Sequence, residues 1–193
     1  AATRGSVVRM HQVFVEQFLA AYRRPPKEIV LDFDATDDPV HGQQEGRFFH
    51  GYYDHYMYYP LLVFDGESGQ LISSRLRPGN THASRGAAGL LVRLVRRVKK
   101  RFPDAHVLVR GDSGFCVPRI LHVLEGLDRD LGCVDYLFGI ARNPTLERLA
   151  EPALDMAEEM YRMYGHKVRH FTDFEYAAGS WDREGLVVAK AEY

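Results

Sequence analysis

The stretch EIVLDFDATDDPVHG, residues 28–42, sets Asp32, Asp34, Asp37 and Asp38 at the end of an apolar run. Carboxylates do not close a buried strand cheaply unless a cation meets them there, because an unpaired charge is costly to desolvate. A second apolar run, AHVLVRGDSGF (105–115), also ends in an acid, Asp112. Hard carboxylate oxygens such as those of Asp34 and Asp112 suit Mg2+ or Mn2+. Two such ions, about 3.5–4 Å apart, activate water or a 3′-hydroxyl and stabilise the leaving oxygen. A site of that kind ordinarily needs a third acidic side chain.

The elements that must position these acids follow from periodicity and breakers. Residues 5–22 carry Val8, Phe14, Val15, Phe18 and Leu19 near helical spacing. RRPP (23–26) ends that helix, since proline cannot continue it. EIVLDFDAT reads as a buried strand. HGYYDHYMYYPLLVFD (50–65) and QLISSRLRP (70–78) read as two strands around a short hairpin loop, GESG. Residues 83–102 form a helix with Leu91, Leu94, Val95, Val98 and Phe102 on one stripe. Then come a strand ending in Gly111-Asp112, a helix through VPRILHVLEGL, the strand VDYLFGIAR and a helix from Pro144. Two strands around DREG close the chain. This order predicts a mixed sheet covered by helices, in which the strands ending at Asp34 and Asp112 lie side by side and parallel. Neighbouring strands are about 4.8 Å apart, so the two acids can share one cation.

Composition narrows the class. The 193 residues carry 46% apolar and 12% aromatic side chains, enough for a real core. The net charge is −1, so any nucleic-acid site is a local patch. Two cysteines, Cys116 and Cys133, make no disulfide framework. No stretch approaches the roughly 20 apolar residues of a membrane span, and the N-terminus lacks the apolar core of a signal peptide. These features predict a cytoplasmic protein with no membrane partner.

Several short patterns compete for the acids. DFDAT fits the D-x-D-x-T pattern of haloacid-dehalogenase-like phosphatases, with Asp32 as nucleophile and Asp34 as acid-base on one strand face. GDSG is similar to the nucleophile motif of trypsin-like hydrolases around Ser113, but the helical stretches contradict a two-barrel fold. His41, His50 and His55 follow no zinc-ligand spacing, and 50 and 55 on one regular strand would face opposite ways.

Longer, ordered motifs resemble something more specific. LDFDATDDPVHGQQEGRFFHGYYDHYMYYPLLVF, LRPGNTHAS, VLVRGDSGF and VDYLFGIARNPTL, in this order, resemble the catalytic domain of DDE-type bacterial insertion-sequence transposases. The resemblance covers about residue 27 to the end. It implies an RNase H-like α/β fold with a β-strand insertion, and cut-and-paste DNA transposition. It makes Asp34 and Asp112 the first two metal-binding catalytic carboxylates, for Mg2+ or Mn2+. It implies DNA partners, both transposon ends and target, and admits a homodimer; in a bacterium it would be nucleoid-associated. The implied organisation is a helical lead-in over 1–26, the first part of the catalytic core over 27–143, and a helix plus partial β insertion over 144–193. The family's final Glu lies on a helix beyond the insertion. No glutamate here has that context, so the expectation is a fragment that is inactive alone. The alternatives are the phosphatase and a non-catalytic DNA-binding remnant.

The resemblance also suggests DNA-contacting side chains. Arg96, Arg97 and Lys100 belong to the densest basic run. Arg75 and Arg77, with Asn80 and His82, lie near a strand end. Arg110 sits two before Asp112 and faces the same way, toward substrate or an acid. Trp181, the only tryptophan, either packs the insertion or stacks on an unpaired base. The tyrosines of HGYYDHYMYY are strand packing by default.

Overall fold

The computed structural model describes residues 4–193. The chain divides into two compact units, the first ending at Ile140 and the second running from Ala141 to Tyr193.

In the first unit, helix α1 (Arg4–Ala21) stops ahead of the Pro25-Pro26 pair, and strand β1 (Glu28–Ala35) follows. The long aromatic segment expected as one strand is three. β3 (Phe48–His50) and β4 (His55–Tyr58) form a hairpin, and β5 (Leu61–Asp65) starts afresh after Pro60. Two local features cut the run: Asp54 takes a positive φ of 57°, and Pro60 has no N–H to give a ladder. With β2 (Asp38–Pro39), β3 and β4 make a small sheet in the order β2-β4-β3. His50 and His55 are therefore partners across a hairpin rather than neighbours on one strand. Next come β6 (Leu71–Arg75), α2 (Ala87–Arg101), β7 (His106–Gly111), α3 (Pro118–Leu131) and β8 (Val134–Phe138).

The main sheet has the order β6-β5-β1-β7-β8. β5 pairs antiparallel with both β1 and β6, while β1-β7 and β7-β8 are parallel. This is the expected RNase H-like mixed sheet. Its strands alternate. Ile29, Leu31, Phe33 and Ala35 are buried on one face of β1, and Glu28, Val30, Asp32 and Asp34 are less covered on the other. The core is built on the first face: Phe18 and Leu19 of α1, Leu91, Leu94, Val95 and Val98 of α2, and Ile120, Leu124 and Leu127 of α3 all join it. Each such side chain stabilises by about 1.5–3 kcal/mol on full burial. The expected stripe on α2 is thus the core-facing one. α3 begins on Pro118, whose missing N–H costs nothing in a first turn.

The less-covered face carries a three-strand ionic clasp at the end where β1 begins. His106 of β7 meets Glu28 of β1 at 2.8 Å through Nδ1 and Asp135 of β8 at 2.7 Å through Nε2. The Asp135 and Glu28 carboxylates together hold the imidazole above its usual range.

In the second unit, α4 (Pro144–Tyr164) is capped by Asn143, whose side chain accepts from the Thr145 and Leu146 N–H groups. Gly165, at φ 68°, ends it. The hairpin β9 (Arg169–Tyr176) and β10 (Gly185–Glu192) packs alternate residues inward, and Ala191 joins Ala153 and Ala157 of α4 in a small core. Glu192 gathers Lys190, Lys167 and Arg169, and the first two hold its carboxyl down to about 2.

Charged His106 strengthens the clasp, so its contribution is fully present below about pH 6.5 and is lost as pH rises through the raised folded value. The groups are partly exposed, which limits the effect. His106→Gln is expected to lower Tm by about 1–3 °C at pH 6 and by less at pH 9, read by thermal melts across pH.

Candidate functional site

The parallel register of β1 and β7 pairs Asp32 with Arg110 and Phe33 with Gly111. One further step along each strand gives Asp34 and Asp112. The two acids therefore end neighbouring parallel strands, roughly 5 Å apart along the backbone. Both are exposed.

Each acid is held by a local device. Asp32 and Arg110 form a two-pronged pair across the seam, with Nε and Nη2 both 2.6 Å from the carboxylate oxygens. Gly66 closes over this pair. A Cβ there would come within 2.8 Å of the Arg110 guanidinium and 2.9 Å of the Asp32 carboxylate. Among the described residues, no donor is bonded to the Asp34 carboxylate. The sequence GDSGF folds into a turn in which the Phe115 N–H donates to the Asp112 carbonyl and the Gly114 N–H donates to Asp112 Oδ1 at 2.8 Å. That second bond aims one carboxylate oxygen inward and leaves the other open. Both glycines of the motif are forced by space. A Cβ on Gly111 would meet the Phe115 ring at 2.9 Å, and one on Gly114 would meet Ala83 at 2.7 Å. Phe115 stands edge-on to Phe33, their centroids 6.0 Å apart, and so ties the turn to β1.

An open depression of about 510 Å3 lies over this end of the sheet, with Asp32, Asp34, Arg110, Leu137, Phe138 and Gly139 in its wall. Tyr59 belongs to the aromatic group whose default role in the sequence is strand packing. Tyr59 is 9% exposed and contacts His50 and Tyr53. Burial, a hydrogen bond with Tyr53 and the Asp112 charge push its phenol up to about 12. Tyr59 stays neutral in any ordinary buffer and lies within electrostatic reach of Asp112. An aromatic run gives no sign in the sequence of which ring will be buried within reach of the acid's charge.

The remaining candidates are scattered. Arg77 is 5% exposed, and its guanidinium donates to the Tyr59, His82, Ala83 and Arg85 carbonyls and lies over the Tyr59 ring. It pins the 82–85 loop, which leaves it unable to meet solvent phosphates. Arg110 is committed to Asp32. Arg97 is paired with Glu16 of α1 at 2.8 Å. Arg96 and Lys100 are exposed on α2, and Arg75 is half-buried at the end of β6. Trp181 stands edge-on to Tyr176 inside the second unit. Of the other acids, Asp37 meets His55 at 3.1 Å and Asp38 is exposed on β2. Among the described residues, no group of three His, Cys, Asp or Glu side chains is arranged to hold a metal ion.

The model of one protein family, the transposase DDE domain group 1, matches residues 1–193. The chain belongs to the DDE transposase family. Compared directly with curated proteins, the DDE chain has no match. Three solved structures resemble it at low identity. The piggyBac transposase synaptic complex with hairpin DNA is 12% identical over 95% of this chain and 37% of that one, with a TM-score of 0.49. The Mos1 mariner paired end complex with Mn is 14% identical over 85% and 55%, with a TM-score of 0.39. The Drosophila P element transposase strand transfer complex is 12% identical over 80% and 38%, with a TM-score of 0.37. The DDE chain thus spans between 37% and 55% of the length of these structures.

Membership in this family, and the fold, remove the phosphatase alternative. A nucleophilic Asp32 would have to leave an Arg110 fork that holds both its oxygens. The mixed sheet likewise excludes the two-barrel hydrolase suggested by GDSG. No described helix is long and apolar enough to cross a membrane.

The glycine contacts predict a sharp contrast. Gly111→Ala overpacks against Phe115 and is expected to cost about 1–3 kcal/mol in urea unfolding. Gly126→Ala, in the interior of α3 with nothing within 4 Å of a new Cβ, is expected to be neutral or to add about 0.5–1 kcal/mol.

Proposed function

We propose that this DDE domain serves the phosphodiester chemistry of DNA transposition, cleavage at the element's 3′ end followed by strand transfer, with Asp34 and Asp112 as its metal-binding catalytic carboxylates. The observation that carries this reading is the β1-β7 register, which ends two adjacent parallel strands in exposed acids beside an open depression.

The donor set fits a hard divalent cation. Asp34 has both oxygens free of bonded donors among the described residues, and Asp112 keeps one oxygen open. Mg2+ and Mn2+ accept such oxygens and keep several waters, so two protein carboxylates plus substrate oxygens make a plausible set. When bound, such an ion supplies Lewis acidity and an activated water or 3′-hydroxyl. The chain's own groups do the positioning. The Gly114 N–H and the Phe115 ring fix the angle of Asp112. The Arg110–Asp32 fork fixes the register that holds Asp34 beside it. Neutral Tyr59, close to Asp112, adds no competing charge. In the proposed reaction the nucleophile is a water and then a DNA hydroxyl, so no covalent protein intermediate arises.

In this reading the substrates are transposon-end and target DNA, and Arg96 and Lys100 of α2 are free to meet phosphates. A third acidic ligand is required for tight metal binding and in-line positioning. We therefore infer that the 193-residue polypeptide neither nicks nor joins DNA alone.

Mn2+ titration followed by electron paramagnetic resonance tests the site. Asp34→Asn and Asp112→Asn are each expected to weaken Mn2+ binding at least tenfold, while Asp38→Asn, at an exposed acid of β2, leaves it within about threefold, a gap of about 0.7 kcal/mol or more. Equal loss in all three variants, or none in any, refutes the assignment. A gel assay of labelled duplex with the pure chain and Mg2+ is expected to show no product.

A further inference from the structure

The β9–β10 hairpin is a sheet of two strands, so each strand keeps one edge without a neighbour among the described residues. Val168 and Tyr193 exchange both backbone hydrogen bonds, Val168 donating at 3.1 Å and Tyr193 at 3.2 Å. Peptide groups alternate in direction along a strand, so those of Val168, His170, Thr172, Phe174 and Tyr176 address β10. Those of Arg169, Phe171, Asp173 and Glu175 point away from it, along the open edge. Natural edge strands are commonly blunted by proline, a bulge or shortness. β9 has none of these: its eight residues, RHFTDFEY, pair with β10 in unbroken register.

The outer face of β9 carries a pattern of charge. Lys167, Arg169, Phe171, Asp173 and Glu175 are all exposed, at every second position. Two cations precede Phe171, and two carboxylates follow it at the same spacing. Phe171 itself is 59% exposed. Reading the strand backwards exchanges the signs of charge. An antiparallel two-fold contact requires that property, since residue i of one copy faces residue j of the other and j faces i. The cations also have capacity to spare: Lys167, Arg169 and Lys190 share the single carboxylate of Glu192.

We propose that β9 is a self-pairing edge, at which two copies of this chain join β9 to β9, antiparallel about Phe171, into one four-stranded sheet. In that register Lys167 faces Glu175 of the partner subunit, Arg169 faces Asp173 of the partner subunit, and Phe171 faces its own counterpart. The Phe171 peptide groups of the two copies exchange both hydrogen bonds, in the direction they already point. A slide of two residues either way sets Phe171 against a charge and leaves half of the ion pairs unmade. The edge of β10 lacks this symmetry, because its exposed residues Leu186, Val188, Lys190 and Glu192 run from apolar to charged. Pairing consumes the matched edge in both copies, so the assembly closes at two.

Sedimentation velocity of the full 193-residue chain over a concentration series, in EDTA and without DNA, reads the association. The wild type is expected to pass from monomer to dimer and no further. Asp173→Lys with Glu175→Lys makes the whole face basic, and Lys167→Glu with Arg169→Glu makes it acidic. Either double variant alone is expected to dimerise roughly tenfold or more weakly, through like-charge repulsion. An equimolar mixture of the two is expected to dimerise as the wild type does, because the swap restores every pair. Phe171→Cys, in a chain with Cys116→Ser and Cys133→Ser, reads the register without changing charge. Facing Cα atoms of such a pair are about 5.5 Å apart, within disulfide reach, so oxidation is expected to link the two copies. A wild type that stays monomeric throughout the series overturns the proposal, as does unchanged dimerisation in either charge variant. Mixed variants that stay apart, or a Phe171→Cys chain that forms no intermolecular link, overturn the register about Phe171. Species larger than a dimer overturn closure at this edge.

Discussion

The parallel pairing of β1 with β7 joins segments 78 residues apart and sets everything at the candidate site. Its register is pinned from both sides of the sheet. On one face Phe33 and Phe115 pack edge to face; on the other Arg110 grips Asp32. A slip of one residue would turn Asp34 toward the helices and Phe33 toward solvent, because side chains alternate along a strand. Apolar packing and ion pairing therefore specify the same alignment, and the acids inherit it. The glycines at 66, 111 and 114 are part of that alignment, since each sits where a side chain would displace one of its members.

Much of this was legible in the sequence because the strands carry their own signals. EIVLDFDAT and AHVLVRG are short, β-branched apolar runs with breakers behind them, and length, composition and breakers together place them as strands ending in acids. The α2 stripe was equally clear. HGYYDHYMYYPLLVFD was not, since β propensity is uniform along it while its division depends on one left-handed residue and one proline. Tertiary context also decides what an arginine does. Arg75 and Arg77 share a strand end and look alike in sequence. One is half-buried near other cations, and the other is enclosed by four carbonyls. Nothing local in SRLRPGNTH distinguishes them.

Arg77 shows how a charge serves structure in this molecule. A guanidinium offers five N–H groups in a rigid fork, so a single side chain can satisfy several loop carbonyls that would otherwise be stranded without partners. The loop it gathers leads directly into α2 and contributes Ala83, against which Gly114 of the acid-bearing turn is packed. The buried cation thus supports the surroundings of Asp112 without touching it. Lysine could not replace it, because one ammonium cannot span four acceptors.

The ionic clasp and the Asp32–Arg110 fork share the sheet face on which the first unit packs no helix core. Read across the strands, its rungs are mixed: Val30 and Leu108 with Asp135, then Phe64 and Leu137 with Asp32 and Arg110, then Leu62 with Asp34. Each rung that bears a greasy group also bears a formal charge. The hydrocarbon is thereby broken into islands, each too small to drive indiscriminate sticking between molecules. A surface built this way tolerates wetting without a helix laid over it.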